Sequence, residues 1–344
     1  MVAAHQSRND IVIVEEHPLP QTVIDEKKDN TDIELNADIS PVPSPSVEKD
    51  FHSAKIGELK TASDGITVLV PQPSDDPRDP LNWSWTKKHS VFLALLPGCF
   101  LTDWIITWGI TLFVPQAMEW HMTPPAVANS ISGAVFMQGP GGLLAVSLCQ
   151  RYGRAPVLFW SQTLSLVATI GATCATGYAG FTAARTLQGF FGAPPQVIGL
   201  SIIHDMFFLH ERARKINIWA CAFLIGPYLG PFISAFLAEK ESWQNVFAVL
   251  CGFYGFSVLA IVLLFDETLY DRDNPKKRAG GFGGRVMLLL GVTGWRESAG
   301  RPSVWTVMWH QAVLICKPYV LLPTFGFTMV CISTALAKAE DKRG

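Results

Sequence analysis

The chain has 344 residues, of which 49% are hydrophobic, with a formal net charge of −2. This near-neutral balance gives no basic surface of the kind nucleic acids require, so nucleic acid is not an expected partner. The charge is unevenly spread: residues 1–88 hold 16 acidic and 9 basic side chains, whereas residues 89–265 hold only 6 and 7.

Residues 1–75 are rich in Asp, Glu, Lys, Ser and Pro and show no sustained helical or strand period. A disordered N-terminal tail over 1–88 is expected, because such a segment buries too little apolar surface to offset its ordering entropy. No cleavable signal peptide is read, since Ile11–Val14 is too short for its apolar core. Six apolar runs follow: 89–112, 127–149, 156–176, 180–208, 216–238 and 246–265. Each is long enough to cross a hydrocarbon layer of about 30 Å as a helix. The stretch 89–265 is too poor in charge to face water, so a six-helix membrane bundle is expected there. Residues 266–317 read as a polar central loop, 318–337 as a seventh, Pro323-interrupted helix, and 338–344 as a polar tail.

Basic residues alternate between the loops. With the N-terminus cytoplasmic, the cytoplasmic side collects thirteen Lys and Arg, including Arg151, Arg154, Arg212, Arg214 and Lys215; the opposite loops hold only Lys240. That bias is the positive-inside pattern of six spans. The seven cysteines lie in or beside apolar runs without a CxxC pair, so they read as packing residues. No cofactor is expected. His204, Asp205, His210, Glu211, Arg212 and Arg214 favour salt bridges over a metal site.

Several residues stand out against the apolar background. Asp103, inside the first run, is a candidate proton or cation site, with a structural polar contact as the alternative. Arg185 and Gln188 share a face of the fourth run, where a charge should meet a bundle interior or a water-filled cavity. Gly226, Pro227, Gly230 and Pro231 in the fifth run remove backbone donors and admit a close neighbour, so a bending element is expected. Arg151, Gly153 and Arg154 form a tight basic turn suited to holding helix ends or carboxylates. No nucleophile elbow, phosphate loop or other catalytic constellation occurs, so an enzyme is not expected.

Together these motifs resemble the major facilitator superfamily, and most of all its fungal drug:proton antiporter-type transporters. Asp79-Pro-Leu-Asn-Trp-Ser84 resembles the entry signature, and Arg151-Tyr-Gly-Arg154 the loop between helices two and three. Arg185 with Gln188-Gly189 resembles the helix-four motif, Gly226-Pro227 with Gly230-Pro231 the helix-five antiporter motif, and Glu267-Thr-Leu-Tyr-Asp-Arg272 the start of the central loop. Gln150 stands where the loop motif usually has Asp, Ala155 where it has a basic residue, and Trp243-Gln-Asn245 where Trp-Arg-Trp is common. The resemblance implies an all-α membrane fold: the N-terminal six-helix half of a twelve-helix bundle plus a seventh helix, in a C-terminally truncated chain. It further implies proton-coupled movement of a small organic molecule by alternating access, a lipid bilayer partner and a plasma-membrane location. Asp103, Arg185 and Gln188 would lie on the transport pathway. A non-transporting membrane protein, or an inactive fragment of a transporter, is the alternative.

Overall fold

The computed structural model describes residues 60–61, 68–271, 281–326 and 328–329. Most of the expected tail, the 338–344 tail and residues 327 and 330–337 of the seventh run lie outside them. Regular structure among the described residues is helical, apart from an isolated Thr61–Val68 bridge.

The helices are α1 (Trp85–Trp108), α2 (Phe113–Glu119), α3 (Pro124–Tyr152), α4 (Arg154–Thr173), α5 (Tyr178–Gly192), α6 (Pro194–Met206), α7 (Leu209–Ala238) and α8 (Trp243–Leu264). Short helices α9 (Gly281–Leu289), α10 (Val292–Glu297) and α11 (Val304–Ile315) follow. Five units are long and apolar enough to cross a membrane: Trp85–Glu119, Pro124–Tyr152, Arg154–Thr173, Leu209–Ala238 and Trp243–Leu264. The fourth run is instead divided at Ala193 into α5 and α6. Pro194 and Pro195 cause this division, because neither can donate to the preceding turn. Side chains of α1 serve the interrupted backbone: Thr102 Oγ1 donates to the Gly192 carbonyl at 2.9 Å and Cys99 Sγ to the Pro195 carbonyl at 3.2 Å.

Two apolar clusters fill the bundle. One gathers Leu95, Leu158, Ile198, Ile202, Phe207 and Phe265. The other gathers Trp104, Trp108, Phe181, Trp243, Phe247 and Tyr254. Many other large apolar side chains face outward, among them Phe136, Tyr228, Phe232 and Phe236. For a bundle of this length such a surface belongs in lipid or against another membrane helix.

Two expectations from the sequence need correction. Residues 68–88 are not a loose tail. Ser84 caps α1 by accepting from the Lys87 N–H, so the helix begins four residues before the apolar run does. Asp79 accepts from Ser74 Oγ at 2.9 Å and from the Leu81 N–H at 3.0 Å, and Asn82 donates to the Ser74 and Asp76 carbonyls. This folded segment straps three helix ends together. The Leu209 N–H at the start of α7 donates to the Val70 carbonyl, Tyr270 Oη donates to Asp76, and Lys87 pairs with Asp266. Arg78 holds the Asp76 carboxyl down at about 2, first through its guanidinium and then through its backbone N–H. The pair therefore contributes above the ordinary carboxylate range and is lost only as pH falls through about 2.

The second correction concerns residues 266–317, read as polar loop. They contain α9, α10 and α11, each too short to register as an apolar run. Residues 318–326 and 328–329 are helical, opened by Pro318 in a position where its missing N–H costs nothing.

Candidate functional site

Arg185 is 1% exposed and lies in the bundle interior rather than on an open cavity. Nη1 donates to the Ile105 carbonyl at 2.6 Å and to Gln188 Oε1 at 3.0 Å, and Nη2 donates to the Ile106 carbonyl at 3.0 Å. Those carbonyls lie in the last turn of α1, where no intrahelical donor remains. The guanidinium thus caps α1 from α5, and its charge complements the negative end of the helix dipole. Gln188 passes the network to α4 by donating to Thr169 Oγ1 at 2.6 Å. The Phe247 ring, 5.6 Å from the guanidinium carbon, closes the site from α8. The structure brings Arg185 and Gln188 together, and it joins neither to Asp103.

Asp103 lies on α1, half-buried, in a different polar group. Gln138 Nε2 of α3 donates to its Oδ1 at 2.9 Å, and Gln196 Nε2 of α6 donates to its Oδ2 at 3.1 Å. The two amides also approach each other at 3.4 Å. One carboxylate is therefore held by both oxygens from two other helices, beside the exposed Gly139 and Pro140 of α3. Neither glutamine stood out in the sequence. An amide within an apolar run was the available signal in each case.

The basic turn forms a latch, although its acids are not neighbours in sequence. Gly153 has φ +106°, a conformation glycine adopts without steric cost. The turn delivers the first N–H groups of α4 to Glu267: Arg154 N–H donates to Oε1 at 2.9 Å and Ala155 N–H to Oε2 at 3.1 Å. A carboxylate is favoured at a helix N-terminus by both the free donors and the dipole. The Arg154 guanidinium pairs with Asp205 at the end of α6. Arg151 points elsewhere, stacking over Tyr152 and touching the Pro302 carbonyl. Arg154, rather than Arg151, is thus the charge that ties helices together here. Replacing Glu267 with Ala removes the acceptor of three backbone N–H groups, those of Arg154, Ala155 and Leu269, and is expected to destabilise the chain by about 2–4 kcal/mol. Thermal unfolding in detergent would test this, and Glu267→Gln should recover part of the loss.

On α7, Gly226, Gly230 and Ser234 are its only fully buried residues among those described, one seam against α1. A Cβ on Gly226 would come within 2.7 Å of the Phe100 carbonyl, and one on Gly230 within 2.7 Å of Thr107 Oγ1. Ser234 and Thr111 hydrogen-bond at 2.8 Å further along. Pro227 and Pro231 sit beside this seam and leave α7 continuous across 209–238.

With this geometry in place, the family described as Major Facilitator Superfamily matches residues 96–338. The chain belongs to that superfamily. Among similar facilitator proteins are the efflux pump radE of Floropilus chiversii, 27% identical over 74% of this chain and 50% of its own, and the MFS transporter fsa7 of a Fusarium species, 31% identical over 83% and 60%. The multidrug transporter FLR2 of Candida glabrata is 24% identical over 65% and 38%. The chain thus spans about half the length of the curated relatives it matches. A solved proton:xylose symporter of the superfamily overlaps 71% of this chain and 57% of its own, at 14% identity and a TM-score of 0.48. The chain is a multi-pass membrane protein, and the relatives named here are transporters. Among the described residues no group of three or more His, Cys, Asp or Glu is placed to hold a metal. In this facilitator chain Asp205 instead serves as the partner of Arg154, and Arg212 donates to the His204 and Phe207 carbonyls.

Proposed function

We propose that this chain forms the N-terminal half of a proton-coupled carrier for a small organic molecule, working by alternating access. The observation that supports this most is the half-buried Asp103 carboxylate, held among the described residues by neutral amides from α3 and α6. A carboxylate at membrane depth without a cation beside it is a group able to take up and release a proton. The efflux and multidrug names of its relatives favour export. Arg185 and Gln188 act on the pathway from behind, by fixing the end of α1 that carries Asp103. Gly226, Pro227, Gly230 and Pro231 let α7 slide against α1, and Gly153 and Arg154 latch the cytoplasmic side through Glu267 and Asp205.

A second half would pack on the exposed apolar side of this bundle and complete the cavity at the interface. The basic loops favour a cytoplasmic N-terminus, and the plasma membrane is the proposed location. The reading predicts that Asp103→Asn abolishes proton-gradient-driven substrate movement in proteoliposomes, while downhill exchange persists. Equal gradient-driven flux in parent and variant, or none in either, would overturn the proposal for this chain.

A further inference from the structure

We propose that the basic end of the chain binds one anionic phospholipid, its acyl tail in a groove between α3, α4 and the α9–α10 corner and its headgroup against Arg151 and Arg296. The groove has a volume of about 390 Å³ and is lined by Leu144, Leu148, Val157, Leu164, Phe190 and Trp295 among others. Its Ser161 and Trp160 spend their donors within the protein, on the Leu158 and Leu290 carbonyls. That lining suits a methylene chain and offers little to a polar solute.

A second observation says where the groove lies relative to the bilayer. Helices α9 and α10 are not among the membrane-capable helices, yet Met287, Leu290, Val292 and Trp295 are 47%, 48%, 39% and 70% exposed. Such a patch on short helices beside a membrane bundle fits the boundary between headgroups and acyl chains, where Trp is favoured.

The third observation is charge. Trp295 stacks on Tyr152 with ring centroids 5.9 Å apart, and the Arg151 guanidinium carbon lies 5.8 Å from the Tyr152 ring centroid. Arg296 follows Trp295 and is exposed. The adjacent acid, Glu297, is engaged by Arg301 at 2.9 Å and so does not neutralise this rim. Arg151 against the groove-lining Tyr152, and Arg296 next in sequence to the groove-lining Trp295, bring the chemistry of a phosphate carrying a tail to this groove.

The test uses the purified full chain in nanodiscs and in detergent. Native mass spectrometry with added phosphatidylserine should show one retained lipid, with phosphatidylcholine retained far less. Arg151→Ala and Arg296→Ala should each weaken retention about fivefold, whereas Lys240→Ala at the opposite end should not. Phosphatidylserine with a photoreactive acyl chain should label peptides within 144–164 and 290–296. Because Arg296 is exposed, its loss should leave thermal unfolding of the delipidated chain unchanged, which separates lipid binding from folding. Equal retention of the two lipids, no retention, labelling confined to other segments, or indifference to both arginine variants would each overturn the assignment.

Discussion

Arg185→Ala should destabilise the bundle by about 3 kcal/mol or more, the largest loss expected from removing one polar side chain of this protein. The guanidinium satisfies three acceptors at once, the Ile105 and Ile106 carbonyls and Gln188 Oε1. An alanine leaves all three buried beside a cavity, and each deserted acceptor costs about 1–3 kcal/mol. Average hydrogen bonds between membrane helices are weaker, about 0.6 kcal/mol, because partners are found even in the unfolded chain. Here no alternative donor is at hand: the neighbouring Gln188 amide is already committed to Thr169. Arg185→Lys should rescue only partly, since one ammonium on a flexible stem lacks the fork that spans two carbonyls and an amide. The measurement is unfolding of the purified chain in mixed micelles, followed by tryptophan fluorescence. If alanine were tolerated within 1 kcal/mol, the cap would not be structural, and a direct role for Arg185 in transport would gain weight.

The second large effect should come from replacing glycines where helix backbones touch. A Cβ at Gly189 of α5 would overlap the Ala134 carbonyl of α3, and one at Gly141 of α3 would overlap the Phe190 carbonyl of α5. The obstacle at both positions is backbone, which cannot turn aside as a side chain can. Even Gly189→Ala must therefore separate two helices along their contact, at a cost of about 1–3 kcal/mol or more. Gly230→Ala should be milder, because its obstacle is the hydroxyl of Thr107, which can rotate. Gly226→Ala, facing the Phe100 carbonyl, should fall between them. Thermal denaturation in detergent ranks the series. An equal loss at Gly189 and Gly230 would show that the helices move apart readily and that the close contact is not holding the bundle.

Much of the fold could be read before any coordinates. Long apolar runs separated by polar turns predict helices, because hydrocarbon leaves the backbone few ways to satisfy its own hydrogen bonds, and five of the six runs form helices long and apolar enough to cross a membrane. The exceptions have local causes. The helical start at Trp85 was masked by Thr86, Lys87 and Lys88, which are polar but compatible with a helix and are capped by Ser84. The division of the fourth run at Ala193 follows from two consecutive prolines, which a count of apolar residues passes over.

The site was legible in part. Arg185 and Gln188, three residues apart on one helix, were read as a pair and are one. Their setting was not, since nothing near Arg185 in sequence reveals that the carbonyls of Ile105 and Ile106, about eighty residues earlier, await it. Asp103 likewise stood out alone, while its amides come from positions 35 and 93 residues away. Glu267 reaches the Arg154 turn across 113 residues. By itself, then, the sequence determined which segments are long and apolar enough to suit a membrane and which groups are too costly to leave unpaired there. Only the tertiary structure decided the partners, because pairing depends on which helix ends and faces packing brings within 3 Å, and no local pattern encodes that distance.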